Sequence, residues 1–216
     1  MRAGEITKAA WKLLADEQIT SLPVRPSQIA RAHRVAIHLY EAFANSAQCS
    51  MEEVVRRYGP DGFTVRYPGP QYLIFYNHGN PQRTRWTMMH ELAHIFLGHI
   101  LQNEPVLCVN TRHRDVYDVQ ADNFAARVLC PDVVAHFCGV KSAQELRKLT
   151  DLSAQASENR WKDLCERRLE NDFLTDQDEQ AVYENFRPFI NAYRASSPAD
   201  ESVIELPPGM HSSYRL

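Results

Sequence analysis

Between Thr84 and Ile100 the chain reads TRWTMMHELAHIFLGHI, and no other stretch restricts its fold and chemistry as much. On a helix, residues four apart stand one above the other, so His90 and His94 share a face and can grip one metal ion. Glu91 adjoins them, where a carboxylate can serve as a general base. The spacing is that of the His-Glu-x-x-His zinc pattern. Met88, Met89, Leu92, Ala93, Ile95, Phe96 and Leu97 make this helix apolar almost all round, which predicts burial. Buried imidazoles and a carboxylate are costly without partners, and a divalent cation is a partner for all three. The chain has nine histidines, so a chance match has to be weighed. The apolar flanks argue against a bystander surface helix. Lone core histidines bonded to backbone carbonyls would fit the flanks as well, and the metal reading therefore needs a third ligand.

Two histidines do not complete a catalytic zinc site; three protein ligands and a water do. His99 follows closely, but the metzincin register places Gly and His three and six residues after the second histidine, and here Gly98 and His99 stand at four and five. On a continued helix His99 would point about 140° away from His94. It is expected to face the helix C-terminal dipole and to take no part in metal binding. The helix predicted over Asp115–Cys130 offers Asp118 and Asp122, one turn apart and opposite the apolar side that carries Phe124 and Val128. Gluzincin-type sites take a carboxylate ligand from a following helix, with an acid one turn on that orients a ligating histidine. Asp118 as ligand and Asp122 as orienter reproduce that plan. Spacing alone leaves Asp122, Asp115 and His113 open as alternatives.

The rest of the chain sets the frame. Its 216 residues suffice for one ordinary domain with a real core. With 44% apolar and 24% charged residues the composition is globular, and a net charge of −3 leaves no footprint for nucleic acid or membrane. No apolar run reaches transmembrane length, and MRAGEITKAAWKLL reads as an amphipathic helix rather than a signal-peptide core. The five cysteines are scattered, without a Cys-x-x-Cys pair, which suits reduced thiols in a cytoplasm.

Ile6, Ala10, Leu13 and Leu14 mark a first helix to about Ile19, and Pro26 opens a short second one. Val35–Tyr40, Phe63–Tyr67 and Tyr72–Tyr76 alternate as strands, with Pro68-Gly69-Pro70 as a turn between the last two. Ser50 with Glu53 and Ser142 with Glu145 are capping boxes. Tyr72–Tyr76 reads equally well as an internal strand or as an exposed edge along which an extended peptide could lie. After an irregular crossing at 101–114, helices follow to about Tyr193, the last with Pro188 set to kink or end it. The pair over 142–169 has the outline of a helix-turn-helix, but packing on a core is the commoner use of such a pair, and direct nucleic-acid binding is not expected.

These residues resemble one family, the ImmA/IrrE metallo-endopeptidases, over roughly 20–165. The likeness is carried by Leu22-Pro-Val24, by Leu73-Ile-Phe-Tyr-Asn77 ahead of Arg85-Trp-Thr-Met-Met-His-Glu-Leu-Ala-His94, and by Asp118-Val-Gln-Ala-Asp-Asn-Phe-Ala-Ala126 running into Leu129-Cys-Pro131. The resemblance implies Asp118 as the third zinc ligand, where the family usually has Glu, and Gln120 stands for the second glutamate of its motif. Aspartate remains a competent ligand if its helix comes closer to the metal.

The expected architecture is α+β: a small antiparallel sheet packed on helices, a zincin-like metallopeptidase core with C-terminal helices. The expected domain spans 1–170 and includes the helix pair at 142–169. A C-terminal helix over 171–194 and a disordered tail over 195–216 follow it. The expected chemistry is a cytoplasmic zinc endopeptidase in which His90, His94 and Asp118 hold Zn²⁺, Asp122 orients a ligand and Glu91 acts as general base, with Tyr117 or His113 facing the oxyanion. The resemblance implies a protein substrate, a helix-turn-helix repressor encoded nearby. The rival is a zinc-stabilised binding or sensor module that relieves repression without proteolysis. Such a module needs no general base.

Overall fold

The computed structural model describes residues 1–66, 71–100, 114–196 and 206–207. The expected turn at 68–70, residues 101–113 of the crossing expected over 101–114, His113 among them, and nearly all of the expected tail from 197 on lie outside them, as do the side chains of Arg114 and Asp115.

Three strands form the sheet among the described residues: β1 (Ala36–Leu39), β2 (Gly62–Arg66) and β3 (Tyr72–Tyr76), in the order β1-β3-β2. β3 pairs in parallel with β1, Ile74 facing Ile37, and antiparallel with β2, Ile74 facing Thr64. The build is α+β with C-terminal helices, as expected, but the sheet is mixed rather than antiparallel. The parallel pair needs a long crossover, and the chain from Tyr40 to Gln71 supplies it through α3 (Tyr40–Ala47), α4 (Met51–Tyr58) and β2. β3 is therefore the central strand. The edge reading of Tyr72–Tyr76 is wrong, because its main chain is paired on both sides; among the described residues the edges belong to β1 and β2.

By its contacts the chain divides into two compact units. The first joins Met1–Ile6 to Arg25–Ala125. Its core gathers Tyr40, Ala44, Val54, Phe63, Val65 and Phe75 from α3, α4 and the sheet. α3 carries no side-chain cap at Leu39, so it is held by burial: Tyr40 is fully enclosed and its hydroxyl donates to the Gly59 carbonyl at 3.1 Å. α4 begins where Ser50 Oγ accepts from the Glu53 N–H, at 3.1 Å. α5 (Pro81–Phe96) starts on Asn80, whose side chain accepts from the Arg83 N–H at 2.8 Å, with Pro81 in the first turn. The part of α6 (Arg114–Leu129) within this unit buries Ala121, Phe124 and Ala125.

The second unit joins Thr7–Val24 to Ala126 onward. It contains most of α1 (Ala3–Asp16), α7 (Asp132–Phe137), the packed pair α8 (Ala143–Thr150) and α9 (Ala154–Glu170), and α10 (Gln177–Ser196). Arg160, 3% exposed, ties the unit together through Asp132, Asp163 and the Cys130 carbonyl. α10 continues past Pro188, which costs it one main-chain hydrogen bond. Val182, Phe186 and Ile190, all buried at four-residue spacing, keep it helical. Cys49, Cys130, Cys138 and Cys165 are free thiols, and burial pushes Cys130 and Cys138 up to about 12 and Cys165 up to about 11. Among the described residues no helix is long and apolar enough to cross a membrane.

Candidate metal centre

α5 and α6 bring His90, His94 and Asp118 together, each offering one ligand atom. The His90 and His94 Nε2 atoms are 3.0 Å apart, and Asp118 Oδ1 lies 3.6 Å from the second and 4.0 Å from the first. A single ion equidistant from these three atoms would stand no closer than about 2.1 Å from each, within the range of zinc–nitrogen and zinc–oxygen bonds. The donor set, two imidazoles and a carboxylate, is also one that zinc takes. The residues fit the ion.

The surroundings prepare the two rings differently. His90 Nδ1 lies 2.8 Å from Asp122 Oδ1, to which the Trp86 indole N–H also points at 3.3 Å. A carboxylate only accepts, so His90 in its neutral form carries its proton on Nδ1 and presents a lone pair on Nε2. Burial opposes charging of His90. The Asp122 hydrogen bond and the charges of Glu91, Asp122 and Asp118 outweigh burial and hold its pKa above the ordinary value. That surplus of negative charge favours a cation at this place.

His99 stands at the C-terminal end of α5, as expected, but its ring is turned back onto His94. It is 4% exposed, with its Nδ1 3.0 Å from His94 Nδ1, instead of facing away on a continued helix. α5 stops at Phe96, and Gly98 takes φ +69°. The Gly98 N–H bonds to the Ile95 carbonyl and the His99 N–H to the His94 carbonyl, which is a Schellman turn. Such a turn folds the second residue past the cap back onto the third residue from the helix end. Here these are His99 and His94. The glycine was the available signal. Burial lowers the His99 pKa, with the Gln120 hydrogen bond working against it, and Tyr117 stacks on the ring at 4.4 Å.

Glu91, 7% exposed, accepts a hydrogen bond from Thr64 Oγ1 at 2.7 Å. Thr64 belongs to β2, and the sequence did not single it out. β2 comes this close because Gly62 has no side chain: a Cβ there would stand 2.6 Å from Thr87 Cγ2 and 3.2 Å from the Phe75 carbonyl. Gly62→Ala is therefore expected to push β2 off α5, lowering stability by about 1 to 3 kcal/mol. Urea unfolding measures it, and an unchanged midpoint would show that β2 yields freely.

A peptidase family model, Peptidase M78, described as the IrrE N-terminal-like domain, matches residues 40–162. The chain belongs to this family. The domain is of metallopeptidase type, and His90, Glu91, His94, Asp118 and Asp122 all lie within the matched span. Among curated proteins no relative matches the chain.

Proposed function

We propose that this chain is a zinc-dependent endopeptidase that cleaves a helix-turn-helix repressor. The observation that carries the enzyme reading is the convergence of His90, His94 and Asp118 beside a glutamate held by a dedicated hydrogen bond. His90, His94 and Asp118 would hold the ion. When bound, zinc supplies Lewis acidity, lowering the pKa of a water towards about 7 and polarising a carbonyl.

The chain's own residues do the rest. Asp122 fixes the His90 ring through Nδ1. Thr64 occupies one oxygen of Glu91 and so sets the direction of the other. Glu91 takes a proton from the attacking water and returns it to the departing amine. The choice of a repressor, encoded near this gene, rests on the resemblance to the ImmA/IrrE metallo-endopeptidases.

The test is incubation of the purified protein with that neighbouring repressor. Two discrete fragments are expected, abolished by a chelator and restored by added zinc. An intact repressor in the presence of zinc would overturn the substrate. Fragments that survive complete metal removal would overturn the metal mechanism.

A further inference from the structure

We infer that His99 is a positioning residue of the metal centre, one that sets the tautomer of His94 through a hydrogen-bond chain ending on a backbone carbonyl. The inference rests on the metal-centre reading and adds to it the means by which the second histidine is prepared.

The chain can be read from its far end. The Met1 carbonyl can only accept, so the Gln120 amide nitrogen, 3.2 Å away, donates to it. That turns Gln120 Oε1 towards His99 Nε2, 2.9 Å distant, and this nitrogen must carry a proton to bond there. A neutral imidazole with its proton on Nε2 has only a lone pair on Nδ1. His94 Nδ1, 3.0 Å from it, is then the donor. The remaining nitrogen of His94, Nε2, is left with a lone pair facing His90 Nε2 and Asp118 Oδ1.

Both neutral histidines thus present an unprotonated Nε2, by different routes. Asp122 serves His90 with a carboxylate, whereas His94 is served by a second imidazole. A ligating histidine commonly donates its other N–H to a carboxylate, a carbonyl or a water. His94 is 2% exposed in its side chain, so no solvent can replace that acceptor. The stacked Tyr117 ring and the Schellman turn hold His99 in place.

The test uses the full chain loaded with zinc. Imidazole nitrogen shifts and couplings measured by NMR should show His99 protonated on Nε2 alone and His94 protonated on Nδ1. His99→Phe keeps an aromatic ring against Tyr117 but removes both nitrogens. Its zinc affinity, from competition with a chromophoric chelator, should fall about 10- to 100-fold. His99→Asn can place an amide oxygen where Nδ1 stood and should recover most of that loss, which a merely space-filling residue would not. A His99 protonated on Nδ1, or wild-type zinc affinity in His99→Phe, would overturn the inference while leaving the metal centre intact. Should His99→Phe not fold, the wild-type spectrum decides alone. A wild-type chain that takes up no zinc removes the metal-centre reading, and this inference with it.

Discussion

Glu91→Gln is expected to keep the fold and the zinc while losing cleavage by at least about 10²-fold and as much as about 10⁴-fold, the range of general acid–base groups. The two side chains are nearly isosteric, and the Thr64 hydroxyl can donate to an amide oxygen as it does to Glu91 Oε2. What the amide lacks is basicity, so it cannot take the water's proton. Binding of the repressor should be unaffected, because no recognition is assigned to this carboxylate. The measurement is a cleavage time course alongside zinc content and partner affinity. A binding or sensor module predicts otherwise: no fragments from either protein, and full relief of repression in cells by Glu91→Gln. Full relief with the repressor intact on a gel would overturn the enzyme assignment.

The parts of this molecule that could be read from the sequence are those set by local rules. Ser50 caps α4 and Pro26 opens α2 (Pro26–Ala32), because those side chains act within one turn. That Asp118 and Asp122 share one face of α6, opposite buried Phe124 and Val128, follows from helical spacing, whereas the meeting of that face with His90 and His94 is decided by the fold. Other features depend on parts of the chain that meet only in the fold. β3 is central because β1 and β2 reach it from opposite sides, and an alternating pentapeptide says nothing of its neighbours. α3 has no capping side chain and is held by the enclosure of Tyr40, which tertiary packing decides. Thr64 meets Glu91 only because Gly62 lets a strand approach a helix. His99 is the intermediate case. Its place follows from a local turn, but only if Gly98 is read as the end of the helical register rather than as part of it.

Asp118→Ala and His94→Ala should each weaken zinc binding by more than the 10- to 100-fold expected when a residue that only orients a ligand is lost. The wild-type chain should hold about one zinc. The ranking matters more than any single value, because α6 offers two acids one turn apart and only one of them reaches both histidines. Asp118 Oδ1 lies 3.6 and 4.0 Å from the two Nε2 atoms, on the side where the lone pairs converge. Asp122 reaches His90 from behind, at Nδ1, so Asp122→Ala should give the smaller loss. Asp118→Glu is the sharper probe. The aspartate already stands where one ion can reach all three atoms, so an added methylene carries the carboxylate past that point unless α6 recedes. Zinc should be retained, with a lower affinity and an altered cleavage rate. Unchanged affinity and rate would show that α6 yields easily at this position. Full zinc retention in Asp118→Ala, together with loss in Asp122→Ala, would move the third ligand one turn along the helix and overturn the assignment of both acids.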